Sequence, residues 1–353
     1  MNKTFRSWTL AATILAGLPL TAVSAKANIF QTGDVVAGLS ASTPELAIYS
    51  STGTLQTTLS GAGLAATSIA TFGSQGVLIA NGSSNILEIN QSGVVSNFLT
   101  QSGQNIDSVL VDSNNNVFTI GWNNITVNST QETNTSISEY NSTGTLVSSK
   151  NFVLPNSYNG AIYGSLSANE QNLFVTDLYA NGIESYNIAS GTLGSMPGLA
   201  GTTTSFGQIQ VLANGNILDP AWTSGVLEFN PTTGAQVAQY TNVQFKPYGM
   251  AIDATGTSFW TSSYGGIGGT SIYQTILSSG LNVMSVSNSA SSVTGLGVIG
   301  SQTAITQVAS QTGGTTSVPE PASAALLLGM LGMLALARPS RRSKASANAR
   351  MKE

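Results

Sequence analysis

Cysteine and histidine are both absent from the chain of 353 residues. Without cysteine there is no disulfide framework and no thiolate chemistry. Without histidine the commonest general base and a favoured transition-metal ligand are missing. The composition therefore excludes a Ser-His-Asp triad, a zinc hydrolase site and a haem ligand set. Any catalysis must use carboxylates, lysine, tyrosine or an oxygen-ligated cation.

Charged residues are also scarce, at 7% of the chain, whereas soluble domains contain about a quarter. Glycine, serine, threonine and asparagine take their place, and 41% of the residues remain hydrophobic. Intrinsic disorder combines high charge with low hydrophobicity, so this profile argues against it. It favours an all-β protein with many short strands joined by small-residue turns.

The few charges are strongly segregated along the chain. Between Asn28 and Val318 there are two basic residues, Lys150 and Lys246, and thirteen acidic ones, which gives this body a net charge of −11. An acidic body repels phosphates, so we expect no nucleic-acid partner.

Residues 1–27 have the layout of a secretory signal peptide. Lys3 and Arg6 form a charged region, and an apolar stretch follows from Thr9 to Leu20. Ala25-Lys26-Ala27 then supplies small residues at the spacing that signal peptidase requires. We expect cleavage after Ala27 or Ala25 and export of the rest; an uncleaved anchor helix is the alternative.

A second apolar segment, from Ala322 to Ala337, lies near the other end and contains no charged residue. Its sixteen residues span about 24 Å as a helix, and flanking arginines can snorkel to cover the rest of a core of ~30 Å. Basic residues crowd the positions that follow: Arg338, Arg341, Arg342, Lys344, Arg350 and Lys352. The positive-inside rule places them in the cytoplasm and the body outside.

The motif Val318-Pro319-Glu320-Pro321 stands directly before this apolar segment. With the segment and with Arg338, Arg341 and Arg342, it resembles the PEP-CTERM sorting signal of bacterial exosortase substrates. The resemblance implies recognition by a membrane-embedded exosortase, removal of the tail, and release to the cell surface or the extracellular polymer matrix. A plain tail anchor is the alternative.

One turn motif, a hydrophobic residue and asparagine followed closely by glycine, recurs in full or degenerate form along the body. Its six glycines are 40, 51, 47, 43 and 46 residues apart: Gly53, Gly93, Gly144, Gly191, Gly234 and Gly280. Asparagine folds onto the local backbone and glycine adopts positive φ, so each copy predicts a hairpin turn. A second turn and further β-prone runs lie between the copies, which gives four short strands per period. This pattern is typical of a β-propeller with six blades.

The two ends of the body predict how the ring closes. The N-terminal end supplies three strands, beginning near Asp34, Glu45 and Thr54, and the C-terminal end supplies a lone run from Val293 to Ile299. Their pairing completes one four-stranded blade and removes an open sheet edge. The segment 247–256 resembles the repeat of NHL-type propellers, which implies architecture only. A β-solenoid or a pair of sandwiches is the alternative.

These observations divide the chain into four parts. We expect a signal peptide over 1–27, a six-bladed propeller ectodomain over 28–310, a linker over 311–317 and a sorting tail over 318–353. The transmembrane helix of the tail covers 322–337.

Aromatic residues recur just past the second strand of four predicted blades, five or six residues after the strand begins: Trp122, Tyr179, Trp222 and Tyr264. Loops that follow second strands open on one face of a propeller, so these side chains can ring the channel mouth and stack on sugar rings. Asp177 and Asp219 lie close by to accept hydrogen bonds from hydroxyls, and Tyr248 enters from a loop between blades. Packing between blades is the alternative role of the aromatics.

Three other patterns have ordinary structural interpretations. Glutamates recur at one position of the third strand, which predicts a solvent-facing position and no catalytic pair: Glu88, Glu139, Glu184 and Glu228. The segment 112–116 resembles the start of a calcium loop but lacks its later glycine and glutamate, so a turn is favoured. The insertion from Asn123 to Ser136 predicts a surface loop.

The sequence leaves three hypotheses for function. The first is a non-enzymatic propeller without cofactor or metal, sorted by exosortase, that binds exopolysaccharide or protein at the cell surface and is held in the membrane only before processing. The second is a gluconolactonase-like hydrolase or lyase with a divalent cation held by carboxylates at the channel. The third, a purely structural matrix component, is not separable from the first by sequence.

Overall fold

A computed structural model describes residues 28–300 except 74–75, 128–129, 154–160, 178–181, 197–206, 222–223, 242, 244–246, 264–270 and 288–291. The predicted signal peptide, linker and sorting tail lie outside the described residues. Within the described part, twenty-four strands form six antiparallel four-stranded sheets, so the predicted six-bladed propeller is confirmed. No helix in this part is long and apolar enough to cross a membrane.

Each sheet is one blade, and its strands are called A to D from the channel outward. The strands β1 to β3 belong to blade 1: Val35–Ser40, Glu45–Tyr49 and Leu55–Ser60. The strands β4 to β7 form blade 2: Ser68–Phe72, Gly76–Ala80, Asn85–Ile89 and Val95–Thr100. The strands β8 to β11 form blade 3: Asn105–Val111, Val117–Val127, Thr130–Tyr140 and Leu146–Val153.

The remaining blades follow in chain order. The strands β12 to β15 form blade 4: Ala161–Leu166, Asn172–Asp177, Gly182–Asn187 and Thr192–Ser195. The strands β16 to β19 form blade 5: Gln210–Val211, Ile217–Ala221, Gly225–Phe229 and Gln236–Tyr240. The strands β20 to β23 form blade 6: Pro247–Ile252, Ser258–Ser263, Ser271–Ile276 and Asn282–Ser287. The last strand, β24 (Ser292–Val298), is the A strand of blade 1.

The ring closes as predicted, because β24 pairs with β1 in the sheet order β24-β1-β2-β3. Val298 lies opposite Val35, and Ser292 lies opposite Ser40. Blade 2 also holds the closing strand: Thr71 Oγ1 donates to the carbonyl oxygen of Val298 (3.2 Å). The inner strands contact one another in the cyclic order β24, β4, β8, β12, β16, β20 and line a central channel.

All six motif glycines have positive φ, between 65° and 78°, so the predicted hairpin turns between C and D strands are confirmed. At Asn141 the side-chain oxygen accepts hydrogen bonds from the amides of Thr143 and Thr145, which holds the turn from within. Several of these glycines also lie against the outer strand of the preceding blade. A Cβ on Gly53, for example, would stand 2.6 Å from Met284 Sδ and 2.7 Å from Val286 Cγ2. Glycine is therefore needed at these positions for two reasons: it adopts the positive φ of the turn, and it lets the neighbouring blade pack closely.

The hydrophobic core is divided among the interfaces between blades. Six clusters of buried residues each combine side chains from two neighbouring blades. In the cluster between blades 6 and 1, Trp260 (1% exposed) packs with Val35, Tyr49 and Leu296. Each blade depends on both neighbours, because a single sheet cannot bury its own two faces.

Two predictions about local structure were wrong, and one was confirmed. The insertion 123–136 is not a loop: β9 and β10 pair from Val117↔Tyr140 out to Val127↔Thr130, since its β-branched residues suit a paired strand. Glu228 is not solvent-facing but 8% exposed, and it accepts hydrogen bonds from Tyr240 Oη (2.7 Å) and Asn216 Nδ2 (2.6 Å). The segment 112–116 is the predicted turn, held by the Asp112 carboxylate.

The closing strand has no room for side chains at its glycines. A Cβ on Gly295 would stand 2.6 Å from the carbonyl oxygen of Thr67 and 2.7 Å from that of Ala66. We expect Gly295→Ala to lower the free energy of unfolding by about 1–3 kcal/mol, because backbone atoms of blade 2 cannot move aside cheaply. Gly194→Ala is the control, since its Cβ would meet no atom within 4 Å. Equal urea midpoints for the two variants would contradict this account.

Candidate functional site

The two faces of the propeller carry different connections. The lower face carries the short A–B and C–D turns, and the upper face carries the connections that follow the B and D strands. Within residues 28–300, nearly all the gaps in the description come after a B strand or a D strand in the sequence, among them 178–181, 197–206 and 264–270. The described part of the upper face consists mainly of the ends of the strands themselves.

The central channel is nearly filled by its own side chains. Gln208 Oε1 accepts hydrogen bonds from the amides of Met250 (3.1 Å) and Leu296 (2.9 Å), so one side chain of blade 5 links blades 6 and 1. Gln210 Nε2 donates to the carbonyl oxygen of Met250 (3.1 Å). A cavity of about 30 Å³ remains between the inner strands, which is room for about two water molecules. A larger ligand must therefore bind at a mouth and not inside the channel.

Four inner strands carry a β-bulge near their upper ends. The register shifts at Asp107 in β8, at Ile162 in β12, at Tyr248 and Gly249 in β20, and at Thr294 in β24. A bulge leaves an extra residue unpaired and changes the direction of its side chain, and bulges are frequent next to functional sites. We call the region around Asp107, Trp122, Tyr163, Tyr248 and Thr294 the upper mouth.

Asp107 and Trp122 form the most distinctive pair of the upper mouth. Trp122 lies on β9 and is half-buried, and its Nε1 donates a hydrogen bond of 2.6 Å to Asp107 Oδ2. The Asp107 side chain is 9% exposed, and a Cβ on Gly82 would come within 3.1 Å of its Oδ1. Burial raises the pKa of Asp107 to about 6, although the hydrogen bond from Trp122 acts in the opposite direction. The indole is thus held in place by a nearly enclosed carboxyl group.

Two tyrosines meet across the upper mouth. Tyr163 of blade 4 and Tyr248 of blade 6 join their hydroxyl groups in a hydrogen bond, and their rings lie edge to face with centroids 5.5 Å apart. They belong to blades that are not neighbours, and they come together where the inner strand of blade 5, β16, has only two residues. The backbone carbonyl of Tyr248 also accepts the amide of Gln208 (2.8 Å). This group closes the channel on one side.

The structure places some of the predicted site residues and leaves others outside its description. Trp122 and Tyr248 lie at the upper mouth. Asp219 lies in β17 opposite Leu227 and has no exposed surface, so it is not open to a ligand in this conformation. Asp177 ends β13, and nothing is described of its side chain. Tyr179, Trp222 and Tyr264, like the sorting residues Val318, Pro319, Glu320, Pro321, Arg338, Arg341 and Arg342, lie outside the described residues.

Asp107 was missed by the sequence analysis. The sequence does mark Asp107, because it is the one charged residue of β8 and most of the strand is apolar. Within the described part, no three acidic side chains come together as they would in a metal site.

Fold comparison places the chain among six-bladed propellers. It is similar to a chain of a nidogen/laminin complex (TM-score 0.53, 12% identity, 76% of this chain and 99% of the other). It is also similar to a protein of unknown function from Bacteroides caccae (TM-score 0.57, 13% identity), with 76% of this chain and 99% of the other covered. A third similar structure is TolB from Acinetobacter baumannii (TM-score 0.53, 13% identity), with 75% of this chain and 66% of the other covered. At these identities the likeness shows the fold alone. No family model and no curated protein matches the sequence.

The buried carboxyl group predicts a pH dependence of stability. Because its pKa rises from 3.8 to about 6 on folding, the folded state retains the proton more strongly than the unfolded chain. This proton therefore stabilises the folded state fully below pH 3.8, and the stabilisation is lost as the pH rises to about 6. The loss in the free energy of unfolding is about 3 kcal/mol at most. We expect Asp107→Asn to remove this loss, so that the variant melts above the wild type at pH 7.5 and with it at pH 3.5.

Trp122→Phe provides the companion measurement in the same thermal scans. This change removes the hydrogen bond that lowers the pKa of Asp107, so the pKa in the folded state should rise further. The stability of this variant should therefore fall more steeply between pH 4 and 7. Parallel curves for the wild type and both variants would show that Asp107 does not titrate in this range.

Proposed function

We propose that this protein is an exported, exosortase-sorted surface protein whose propeller binds polysaccharide or protein at the upper mouth and does not act as an enzyme. The observation that carries the proposal is Trp122, half-buried at the mouth with its N–H held by Asp107. An aromatic ring that is already held in position loses little conformational freedom when a ligand stacks on it.

The contents of the channel support a surface interaction. Gln208 and the pair Tyr163 and Tyr248 occupy the space between the inner strands, and the cavity that remains among the described inner strands measures only about 30 Å³. Contact at the mouth is compatible with a long polymer or a protein surface, which need no enclosed pocket.

Both ends of the described part of the propeller lie near its lower face. The Gly300 amide donates to Thr71 Oγ1 (3.3 Å) near the lower face, and the Ile29 amide donates to the carbonyl oxygen of Gln91 (2.9 Å) in a lower-face turn. Ile29 and Gly300 therefore both lie near the face opposite the upper mouth.

The structural relatives are in keeping with binding. One propeller of similar fold is a chain of the nidogen/laminin complex, a protein–protein assembly. We propose an analogous contact role here, with a matrix polysaccharide or a surface protein as the partner.

A hydrolase or lyase that uses a carboxylate-bound divalent cation is the second candidate. Asp107 is the observation that favours it, because a carboxyl group with a pKa of about 6 is suited to general acid–base catalysis. Metal analysis of the purified protein separates the two candidates: stoichiometric, tightly held calcium favours the enzyme.

Binding at the upper mouth is testable with the exopolysaccharide of the host. Trp122→Ala should reduce binding by about tenfold or more, since stacking and an ordered contact are lost together. Tyr273→Ala, a half-buried aromatic on β22 away from the mouth, is the control and should bind as the wild type does. If neither host polysaccharide nor extracted surface proteins bind the folded wild type, the proposal fails.

Sorting predicts a processed C-terminus. The mature protein released by the host should lack the segment 322–337 by mass spectrometry, and replacement of Pro319, Glu320 and Pro321 by alanine should leave the tail attached and the protein in the membrane fraction. Replacement of Thr315, Thr316 and Ser317 by alanine is the matched control in the linker. Equal processing of both variants would exclude recognition of the motif.

A further inference from the structure

An open groove lies between blades 4 and 5 and reaches the lower face. It has a volume of about 470 Å³, within the range of about 300–1,000 Å³ that is usual for ligand sites. The strands beside it are the shortest of their kind: β15 has four residues among the D strands, and β16 has two among the A strands. The groove is separate from the upper mouth, and the proposed binding there does not involve it.

Three polar groups in the groove are available to a ligand. Asn172 Nδ2, Ser185 Oγ and Thr232 Oγ1 form no hydrogen bond with another residue that the structure describes, although each residue lines the groove. The Asn172 amide is oriented by Asn187 Nδ2, which donates to its Oδ1 (3.2 Å). A donor amide and two hydroxyls are therefore uncommitted on lining residues from three separate elements: β13, β14 and the C–D turn of blade 5.

The rest of the groove is uncharged and largely apolar; its two other polar side chains, Ser167 and Asn169, are hydrogen-bonded to each other. Phe174, Met196 and Pro231 line it, and Phe174 and Met196 belong to the core cluster between the two blades. None of the described lining residues is acidic or basic. A phosphate, a uronic acid or a metal ion would find no opposite charge there, so the ligand chemistry is neutral.

We infer that this groove is a second binding site, and that it takes a neutral sugar unit. Ring hydroxyls match the separate amide and hydroxyl groups, and the C–H face of a sugar matches the apolar floor. A peptide that binds by strand addition needs a row of backbone groups at a sheet edge, whereas here the uncommitted groups are side chains between two blade faces. This second site does not depend on binding at the upper mouth; the two sites have in common only that both are proposed to bind carbohydrate.

The test uses the full chain in a detergent without a sugar headgroup. Maltotriose, cellotriose and chitotriose are the neutral probes, trigalacturonate is the charged probe, and binding is measured by calorimetry and saturation-transfer NMR. We expect at least one neutral trisaccharide to bind and trigalacturonate not to bind. Thr232→Trp, which fills the groove from an exposed turn, should abolish that binding.

Two further variants make the result specific. Thr143→Trp is the matched control, since Thr143 is also exposed and also follows the turn asparagine by two residues. It should bind as the wild type does. Ser185→Ala, a change too small to disturb folding, should weaken binding by about threefold to tenfold through loss of one hydrogen bond.

Three outcomes overturn the inference. The first is that no neutral trisaccharide binds the folded wild type. The second is that Thr232→Trp binds like Thr143→Trp, which would place the sugar elsewhere; if Trp122→Ala then abolishes binding, the proposed function stands and only the groove fails. The third is that a neutral peptide, and no sugar, binds the wild type but not Thr232→Trp, which would assign the groove to protein partners.

Discussion

The pairing of β24 with β1 is the contact on which the rest of the structure depends. It joins the last strand to the first across more than 250 residues, and without it blade 1 would lack its inner strand and blades 6 and 1 would each expose an apolar face. The cost in chain entropy of closing so long a loop grows only slowly with its length. Six hydrophobic interfaces and the complete ladder of backbone hydrogen bonds follow once the ring is closed.

Glycine makes the closed ring narrow enough to fill its own channel. The inner strands approach so closely that Gly295 and Gly297 of the closing strand leave no room for a Cβ beside blade 2. The remaining space is occupied by Gln208, whose one oxygen satisfies two backbone amides from different blades. A filled channel moves any ligand contact to the surface, and the bulges of the inner strands then place Asp107 and Tyr248 at the upper mouth.

Much of the architecture was predictable because it depends on short-range rules repeated along the chain. The turn glycines have positive φ wherever the asparagine motif predicted a hairpin, and the lone C-terminal run completed blade 1. The insertion 123–136 was mistaken for a loop, because asparagine-rich segments resemble turns unless a partner strand extends with them. Glu228 was mistaken for a surface residue, because its two hydrogen-bond donors lie twelve residues away on either side: Asn216 directly before β17, and Tyr240 at the end of β19.

The sequence by itself determined the number of blades, the turns, the strand that closes the ring and the lack of histidine and cysteine chemistry, since each of these rests on composition or on local periodicity. Only the tertiary structure decided where polar side chains meet. The Trp122 and Asp107 pair depends on a bulge in one strand and the register of the next, and the groove beside Ser185 and Thr232 depends on how two blades with short strands pack. Register and packing join residues from different strands and blades, so no local pattern reports them.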